Sequence, residues 1–263
     1  MDKKKKDKHS VWRVQSIERA IDVLECFTFE KHEMTLAEIV SHTGFNITTA
    51  RRLIYNLESR HLLQQDPETR KYSLGLRLFE MGSIVFTSFS IRKAAIMPIT
   101  KLQNETKATT LLGVKEENQI IYLDKREGVE MVKLSSELGR IRPITYGMLG
   151  KVITAYLEPE EITSLLKKEL KKYTPNTITD KKIFRKELTI VRRQGYAIEI
   201  DEFVEGIMGI AAPIRDHSNK VIAAVGVALP ASKRKDHHDI KRISSLLVSA
   251  GEEISKKIGY IKP

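Results

Sequence analysis

Two short helices separated by a glycine turn are indicated between residues 35 and 57. The first opens with a capping box, Thr35-Leu-Ala-Glu38, in which the threonine and glutamate side chains satisfy each other's free backbone amides. It ends at Thr43-Gly44, because glycine accepts the left-handed geometry of a tight turn. Asn46 then caps a second helix, whose inward face holds Ala50, Leu53, Ile54 and Leu57. This order of elements predicts a helix-turn-helix.

The outward face of the second helix carries groups that suit a DNA groove. Thr48, Arg52 and Tyr55 lie opposite the apolar face, Arg51 lies on its flank, and Thr49 completes the candidate set. Arginine can bond guanine through two hydrogen bonds, threonine can contact thymine methyls or phosphates, and tyrosine can bond a phosphate. We therefore predict that these residues bind DNA. An ordinary solvated helix face is the alternative that the pattern leaves open.

A short hairpin follows this helix directly. Residues 62–64 and 71–74 have the composition of two strands, and the turn Asp66-Pro-Glu-Thr69 lies between them. A hairpin in this place is the wing of a winged helix-turn-helix. Arg70 and Lys71 stand at its tip, where they can reach the phosphate backbone or the adjacent minor groove.

The segments on either side complete an N-terminal domain at residues 11–75. The lysine-rich tail 1–10 is expected to be disordered. A helix capped by Ser16 should then bury one apolar face, made of Ile17, Ala20, Ile21, Leu24 and Phe27. Residues 76–90 form a linker helix with Leu76, Phe79, Phe86 and Phe89 near one side, which either pairs two subunits or packs only within its own chain.

The remaining residues, 91–263, predict an α+β domain with an antiparallel sheet. A helix from residue 91 leads into strands, helices follow, and strands and a last helix from about residue 236 close the domain. The predicted strands are 109–114, 119–124, Glu130–Ser135, 196–200, 208–214 and 221–228. The predicted helices between them are 148–157, 159–171 and 180–194.

Charge and composition exclude several classes of protein. The net charge is +11, but residues 1–75 hold 13 Lys and Arg against 11 Asp and Glu, which argues against a DNA binder indifferent to sequence. No apolar run approaches a membrane span, so a cytoplasmic location is expected. Cys26 is the single cysteine, and we interpret it as a small packing residue.

Catalytic and metal chemistry find little support. His237 and His238, flanked by Asp236 and Asp239, lack the four-residue spacing of helical zinc ligands, so we predict no metal and no cofactor. No nucleophile stands beside a base in the sequence, and an enzyme, or a small-molecule sensor that does not bind DNA, is the alternative function.

Several segments, taken together, resemble one known family. In chain order they are Val14–Leu24, Thr35–Ile39, Thr48–Leu53, Leu57-Glu58, Tyr72–Gly75, Pro143–Lys151, Arg193–Tyr196, Glu205-Gly206, Ala211–Asp216 and Ala223–Pro230. This collinear set resembles the IclR family of bacterial transcriptional regulators. The resemblance implies a winged helix-turn-helix, a linker helix and a GAF-like effector-binding domain, assembled as dimers or dimers of dimers on an operator in double-stranded DNA.

A ligand site is predicted where Gly147-Met148-Leu149 opens a helix, since free amides at a helix start favour an anion. A helix start packed without a ligand is the alternative. The resemblance implies that this start faces a set of strand and loop residues: Gly209, Ile210, Gly226, Ala228, and an acid near Asp201 and Glu202.

The small residues in this set are a departure from the family pattern. Many relatives carry cysteine at Gly209, serine at Gly226 and Ala228, and histidine at Thr145. We therefore expect a roomier and less polar pocket here, suited to a larger, aromatic or otherwise apolar, carboxylic acid.

Overall fold

A computed structural model describes residues 14–88, 90–129 and 137–261 of the chain. The chain divides into two compact units, Met1–Ser88 and Phe89–Pro263. The basic tail, Phe89 and the strand expected at Glu130–Ser135 lie outside the described residues, as does the side chain of Phe86.

The first unit contains the winged helix-turn-helix that the sequence predicts. Its elements are α1 (Gln15–Glu25), α2 (Leu36–Thr43), α3 (Ile47–Ser59), β1 (Leu63–Gln65), β2 (Tyr72–Leu74) and α4 (Leu76–Ser88). The Thr35 amide donates to Glu38 Oε2 at 2.8 Å while Thr35 Oγ1 accepts from the Glu38 amide at 3.3 Å, so the capping box forms. Gly44 has a φ of 69° at the turn, and Asn46 caps α3. Strands β1 and β2 pair antiparallel, with Leu63 opposite Leu74.

The predicted buried face of α1 is wrong in part. The helix begins after Val14 without a side-chain cap, so Ser16 lies inside it rather than capping it. Val23 is buried, whereas Ile17 and Ile21 are 58% and 47% exposed. The sequence carries apolar residues on more than one side of this helix, and contact with α2 and α3 selects the side that includes Val23. Spacing alone could not make that choice.

The second unit is an antiparallel sheet between two layers of helices, which confirms the predicted fold class. Its strands are β3 (Thr109–Glu116), β4 (Gln119–Arg126), β5 (Ile141–Pro143), β6 (Ala197–Ile200), β7 (Ile207–Arg215) and β8 (Val221–Pro230). Its helices are α5 (Ser90–Thr106), α6 (Gly147–Ala155), α7 (Pro159–Leu165), α8 (Lys181–Gln194) and α9 (His237–Lys257). The strand order is β5-β4-β3-β8-β7-β6, and each described pairing is antiparallel. Helix α7 ends at Leu165, earlier than the predicted residue 171.

The two faces of the sheet bury separate apolar cores. One core joins the sheet to α6 and α8, and the other joins it to α5 and α9. Strands β7 and β8 meet α6 through small residues, among them Gly209, Ala211, Gly226 and Ala228. Short side chains let the helix lie close to the sheet, and this contact places the first turn of α6 over the middle of β7 and β8. Among the described residues, no helix is both long enough and apolar enough to span a bilayer.

Candidate functional site

The DNA-binding residues predicted on α3 lie mostly on its exposed side. Thr48, Arg51, Arg52 and Tyr55 are exposed, while Thr49 is half-buried. The amide of Thr49 donates to Asn46 Oδ1 at 2.8 Å, so this residue lies in the capped first turn. The cap orients the start of α3 and leaves the other four side chains facing solvent. This geometry fits a helix that enters the major groove.

The hairpin brings one of its two predicted residues beside α3. Arg51, Tyr55, Arg70 and Tyr72 all line one concavity of about 660 Å³ between α2, α3 and the hairpin. Burial raises the pKa of Tyr72, Glu58 raises it further, and the charges of Arg51 and Arg70 oppose that shift. Both arginines therefore act on the same hydroxyl group.

The tip of the hairpin is held by its own turn. Asp66 Oδ1 accepts from the Thr69 amide at 2.7 Å and from the Glu68 amide at 3.0 Å. Arg70 is exposed with a φ of 58°, and Lys71 Nζ lies 3.8 Å from Glu33 Oε2. Arg70 thus borders the concavity beside α3 while remaining exposed, whereas Lys71 already has an acidic neighbour.

The start of α6, predicted to bind the effector, lacks a side-chain cap. Tyr146 occupies the N-cap position and makes no side-chain capping bond, and Gly147 has a φ of 70°. A residue with a side chain is strained in that conformation. The free amides and the helix dipole make this end of α6 electropositive.

The expected roomy pocket at Gly209 and Gly226 is not present. A Cβ atom at Gly209 would lie 2.7 Å from Met148 Sδ, and a Cβ atom at Gly226 would lie 2.9 Å from Leu149 Cδ2. The side chains of the first turn of α6 therefore fill the space that the glycines leave. The prediction was wrong because small residues on the sheet allowed the helix to come closer instead of opening a cavity.

Two further predicted effector contacts lie elsewhere. Side chains alternate between the faces of a strand, and that of Ile210 packs into the core shared with α5 and α9, on the sheet face opposite α6. Asp201 lies in the loop after β6, where its Oδ1 accepts from the Gly206 amide at 2.6 Å. Ala228 does lie on the α6 side of the sheet. The structure thus brings Gly147, Met148 and Leu149 together with Gly209 and Gly226, but not with the side chain of Ile210.

An acid that sequence analysis missed lies beside this helix start. Glu199, on β6, is 6% exposed, and its Oε2 has no hydrogen-bond partner among the described residues. That oxygen would lie 3.9 Å from a Cβ atom at Gly147. Burial raises the pKa of Glu199 to about 7, Lys151 opposes the shift, and Glu202 adds to it. Strand alternation could have found Glu199, because Ala197, two residues earlier, faces the core with α6.

The neighbouring acid, Glu202, has a partner. Lys151 of α6 is 2% exposed, and its Nζ lies 2.5 Å from Glu202 Oε1 and 3.3 Å from the Ile198 carbonyl oxygen. The ion pair ties α6 to the loop that follows β6. Glu202 is therefore held by an ion pair, whereas the buried Oε2 of Glu199 has no hydrogen-bond partner among the described residues.

Aromatic and basic side chains surround the same end of α6. The rings of Tyr146 and Tyr173 lie 4.6 Å apart, those of Tyr173 and Phe203 4.8 Å apart, and the Arg142 guanidinium lies 5.4 Å from the centre of the Phe203 ring. Burial raises the pKa of Tyr122 to about 12, Glu199 adds to the shift, and Arg142 opposes it. The negative charge of Glu199 and the positive charge of Arg142 therefore shift the pKa of Tyr122 in opposite directions.

Asp236, one of the acids that flank His237 and His238, has a structural role. Asp236 Oδ1 accepts from the Asp239 amide at 2.9 Å and caps α9, which begins at His237. Within the described ranges, no group of three or more His, Cys, Asp or Glu residues is arranged to hold a metal ion.

Comparisons with known proteins match both units. The IclR helix-turn-helix domain matches residues 16–67, and the bacterial transcriptional regulator IclR C-terminal domain matches residues 84–256. The HTH-type transcriptional regulator XynR of Escherichia coli (strain K12) is 32% identical over 248 residues, which cover 94% of this chain and 98% of that protein.

Solved structures also match the chain over most of its length. An IclR transcriptional regulator from Alicyclobacillus acidocaldarius is 27% identical with a TM-score of 0.83, and the match covers 94% of this chain and 100% of that one. An IclR homologue from Microbacterium hydrocarbonoxydans, in complex with 4-hydroxybenzoate, has the same fold at a TM-score of 0.81 and 24% identity, with 92% and 98% of the two chains covered.

Proposed function

Because this chain belongs to the IclR family of bacterial transcriptional regulators, we propose that the exposed side of α3 reads operator DNA and that the start of α6 binds the controlling effector. The chain is a DNA-binding transcriptional regulator of the helix-turn-helix type. Its family consists of regulators rather than enzymes, so the comparisons favour the main reading of the sequence over the enzymatic alternative.

The observation that supports the DNA-binding role is the exposed, polar side of α3. Thr48 and Arg52 project from a helix whose first turn is fixed by the Asn46 cap, and these side chains are placed to contact base edges. Arg51 and Arg70 line a common concavity and are suited to a phosphate between α3 and the hairpin. Base reading and backbone binding therefore fall to different arginines.

Substitutions test this division. Arg52→Ala should lower affinity for operator DNA, captured from genomic fragments, by about 10- to 100-fold and reduce discrimination against scrambled DNA. Arg70→Ala should weaken binding to all sequences alike and reduce the salt slope by about one. Arg193→Ala, an exposed arginine on α8 in the second unit, is the matched control. Fluorescence anisotropy at several salt concentrations measures all three, and operator selectivity retained by Arg52→Ala would refute its role.

The effector role is supported by the start of α6 together with its surroundings. The uncapped helix end and the Arg142 side chain both favour an anionic ligand, and the aromatic side chains of Tyr146, Tyr173 and Phe203 lie beside them. A carboxylic acid fits this combination of charges. The structure of the Microbacterium hydrocarbonoxydans homologue in complex with 4-hydroxybenzoate, an organic acid, supports this proposal.

Self-association is supported by apolar side chains that the first unit leaves exposed. On α4, Leu76, Phe79 and Ile84 are exposed, with Phe79 at 75%, and Ile17 and Ile21 are exposed on α1. Large apolar surfaces of this kind mark interaction sites, and an operator with two half-sites requires two reading heads. We infer that a second copy of the chain covers α4.

Analytical ultracentrifugation measures this self-association directly. Phe79→Glu should shift the protein from dimer to monomer, whereas Glu80→Lys, a charge change on the same helix, should leave the dimer intact. A wild-type protein that sediments as a monomer at micromolar concentration would contradict the inference.

A further inference from the structure

A strongly basic surface lies between the end of α7 and the middle of α8. Residues 167–186 hold eight Lys and Arg against two Asp and Glu, a balance of +6 in a chain whose net charge is +11. All eight cationic side chains are exposed. We call the following eight residues the basic surface: Lys167, Lys168, Lys171, Lys172, Lys181, Lys182, Arg185 and Lys186.

The lysines that follow α7 and the cations of α8 belong to one surface. Lys181 Nζ donates to the Lys167 carbonyl oxygen at 3.5 Å, and Arg185 Nη2 donates to Thr163 Oγ1 of α7 at 3.1 Å. The start of α8 therefore lies against α7 and the segment that follows it, so the positive charges of both parts add together. The helix buries its other side, which contains Phe184, Leu188 and Val191.

Acids of the described part of the chain do not neutralise this surface. None of the eight cationic side chains forms an ion pair with a described residue. Of the two acids within residues 167–186, Asp180 caps α8, where its Oδ1 accepts from the Lys182 amide at 2.7 Å and from the Ile183 amide at 2.9 Å. The other acid, Glu169, is exposed. The positive charge is therefore open to a partner.

The cations of α8 do not stabilise their own helix. Lys181 and Lys182 lie in its first turn, where the helix dipole disfavours positive charge. Lys181 and Arg185 are four residues apart, as are Lys182 and Lys186, and like charges at this spacing repel each other. A polyanion bound at the basic surface would relieve both penalties. The arrangement therefore suits a partner better than it suits the folded chain alone.

Duplex DNA is a polyanion that this chain already binds as a helix-turn-helix regulator. The covalent connection between the two units keeps the second unit at a high effective concentration near any DNA held by the first. Residues 1–75 hold 13 Lys and Arg against 11 Asp and Glu, so the first unit supplies little of the net positive charge that gives affinity independent of sequence. A lipid surface would favour apolar side chains beside the cations, whereas α8 buries its apolar face.

We propose that the basic surface binds the phosphates of duplex DNA without regard to sequence, as a second DNA contact beyond the one that α3 makes. A lysine ammonium acts on a phosphate as a point charge and reads no base. Loss of the basic surface should therefore weaken binding to operator DNA and to unrelated DNA by the same factor. Discrimination between the two, which we assign to α3, should stay unchanged.

Fluorescence anisotropy of the full chain with operator and scrambled duplexes of equal length, at several salt concentrations, tests the proposal. The test variant should bind both duplexes about tenfold more weakly or worse, and its salt slope should fall by about two to four, because each phosphate contact contributes about 0.9. It combines four exchanges: Lys168→Gln, Lys172→Gln, Lys182→Gln and Lys186→Gln. The pair Lys182→Gln and Lys186→Gln serves if circular dichroism shows that the fourfold variant folds poorly.

A control variant removes the same number of positive charges from other exposed positions of the second unit. It should keep the affinity and salt slope of wild type to within about twofold, because no cluster of cations is lost. Its four exchanges lie on α5, on the turn between β7 and β8, and on α9: Lys93→Gln, Lys220→Gln, Lys241→Gln and Lys256→Gln.

The possible outcomes separate the explanations. Unchanged affinity and salt slope in the test variant, or equal losses in the test and control variants, would overturn the proposal. A loss confined to operator DNA would also overturn it, because the basic surface would then take part in reading sequence. Binding to vesicles of phosphatidylserine and phosphatidylcholine that disappears in the test variant, while DNA binding persists, would assign the basic surface to a membrane instead.

Discussion

Replacement of Glu199 by glutamine should make the second unit more stable at pH 8 and have a much smaller effect at pH 5. The pKa of this carboxyl group is raised from 4.5 to about 7, chiefly by burial. Below about pH 4.5 the carboxyl group is protonated in both the folded and the unfolded chain, and burial then carries no charge penalty. As the pH rises the unfolded chain loses the proton first, so stability falls until the folded carboxyl group ionises above about pH 7.

The size of the effect follows from the two pKa values. Each pKa unit corresponds to about 1.4 kcal/mol, so the rise from 4.5 to about 7 lowers the free energy of unfolding by about 3 kcal/mol at pH 8. Glutamine stays neutral and avoids this loss. Burial of its amide group costs some stability, which reduces the gain. For a unit of this size the gain amounts to a rise in Tm of about 6 °C or more.

Urea unfolding of wild type and Glu199→Gln at half-unit intervals from pH 5 to pH 8 provides the assay. Wild type should lose stability over this interval relative to the variant, and the difference between the two curves should be smallest at pH 5. Glu205→Gln, an exposed acid of the same loop, should follow wild type throughout. Parallel curves for wild type and Glu199→Gln, or a difference between them that shrinks from pH 5 to pH 8, would refute the reasoning.

Three further substitutions test other parts of the structure by thermal or urea unfolding. Gly209→Ala should destabilise the second unit by about 1–3 kcal/mol, because its Cβ atom would meet Met148, and the double variant with Met148→Ala should lose less stability than the sum of the two single variants; an additive double variant would contradict the contact. Glu202→Gln should cost about 3 kcal/mol by leaving the buried Lys151 ammonium without its anion, and an unchanged Tm would count against that ion pair. Thr35→Ala should destabilise the first unit by about 1 kcal/mol through loss of the capping box; no change in unfolding would show that the cap is dispensable.

The structure could be predicted from the sequence where a few neighbouring residues decide it. The capping box at Thr35, the turn at Gly44 and the cap at Asn46 each depend on groups within four residues, and all three form. The exposed side of α3 then followed from helical periodicity. The order of strands and helices in the second unit likewise predicted an antiparallel sheet.

The structure could not be predicted from the sequence where it depends on how closely two elements approach each other. Packing against α2 and α3 decides which side of α1 is buried. The exposure of Ile17 therefore could not be predicted from the spacing of the apolar residues in α1. The distance between α6 and the sheet decides whether the glycines leave a cavity or Met148 fills the space. That distance cannot be predicted from the residue types alone. Glu199 was accessible from strand alternation but was obscured by the more obvious loop acids, Asp201 and Glu202.

The position of Met148 has a consequence for how the protein's specificity can change over evolution. Its thioether lies over Gly209 and Gly226 in the proposed effector site, and methionine is the most flexible of the apolar side chains. A ligand that extends to Gly209 and Gly226 must first displace the Met148 side chain, and the free energy of that displacement lowers its measured affinity. At the proposed effector site, an exchange at Met148 would therefore change the space available to a ligand while the backbone of the strands stays the same.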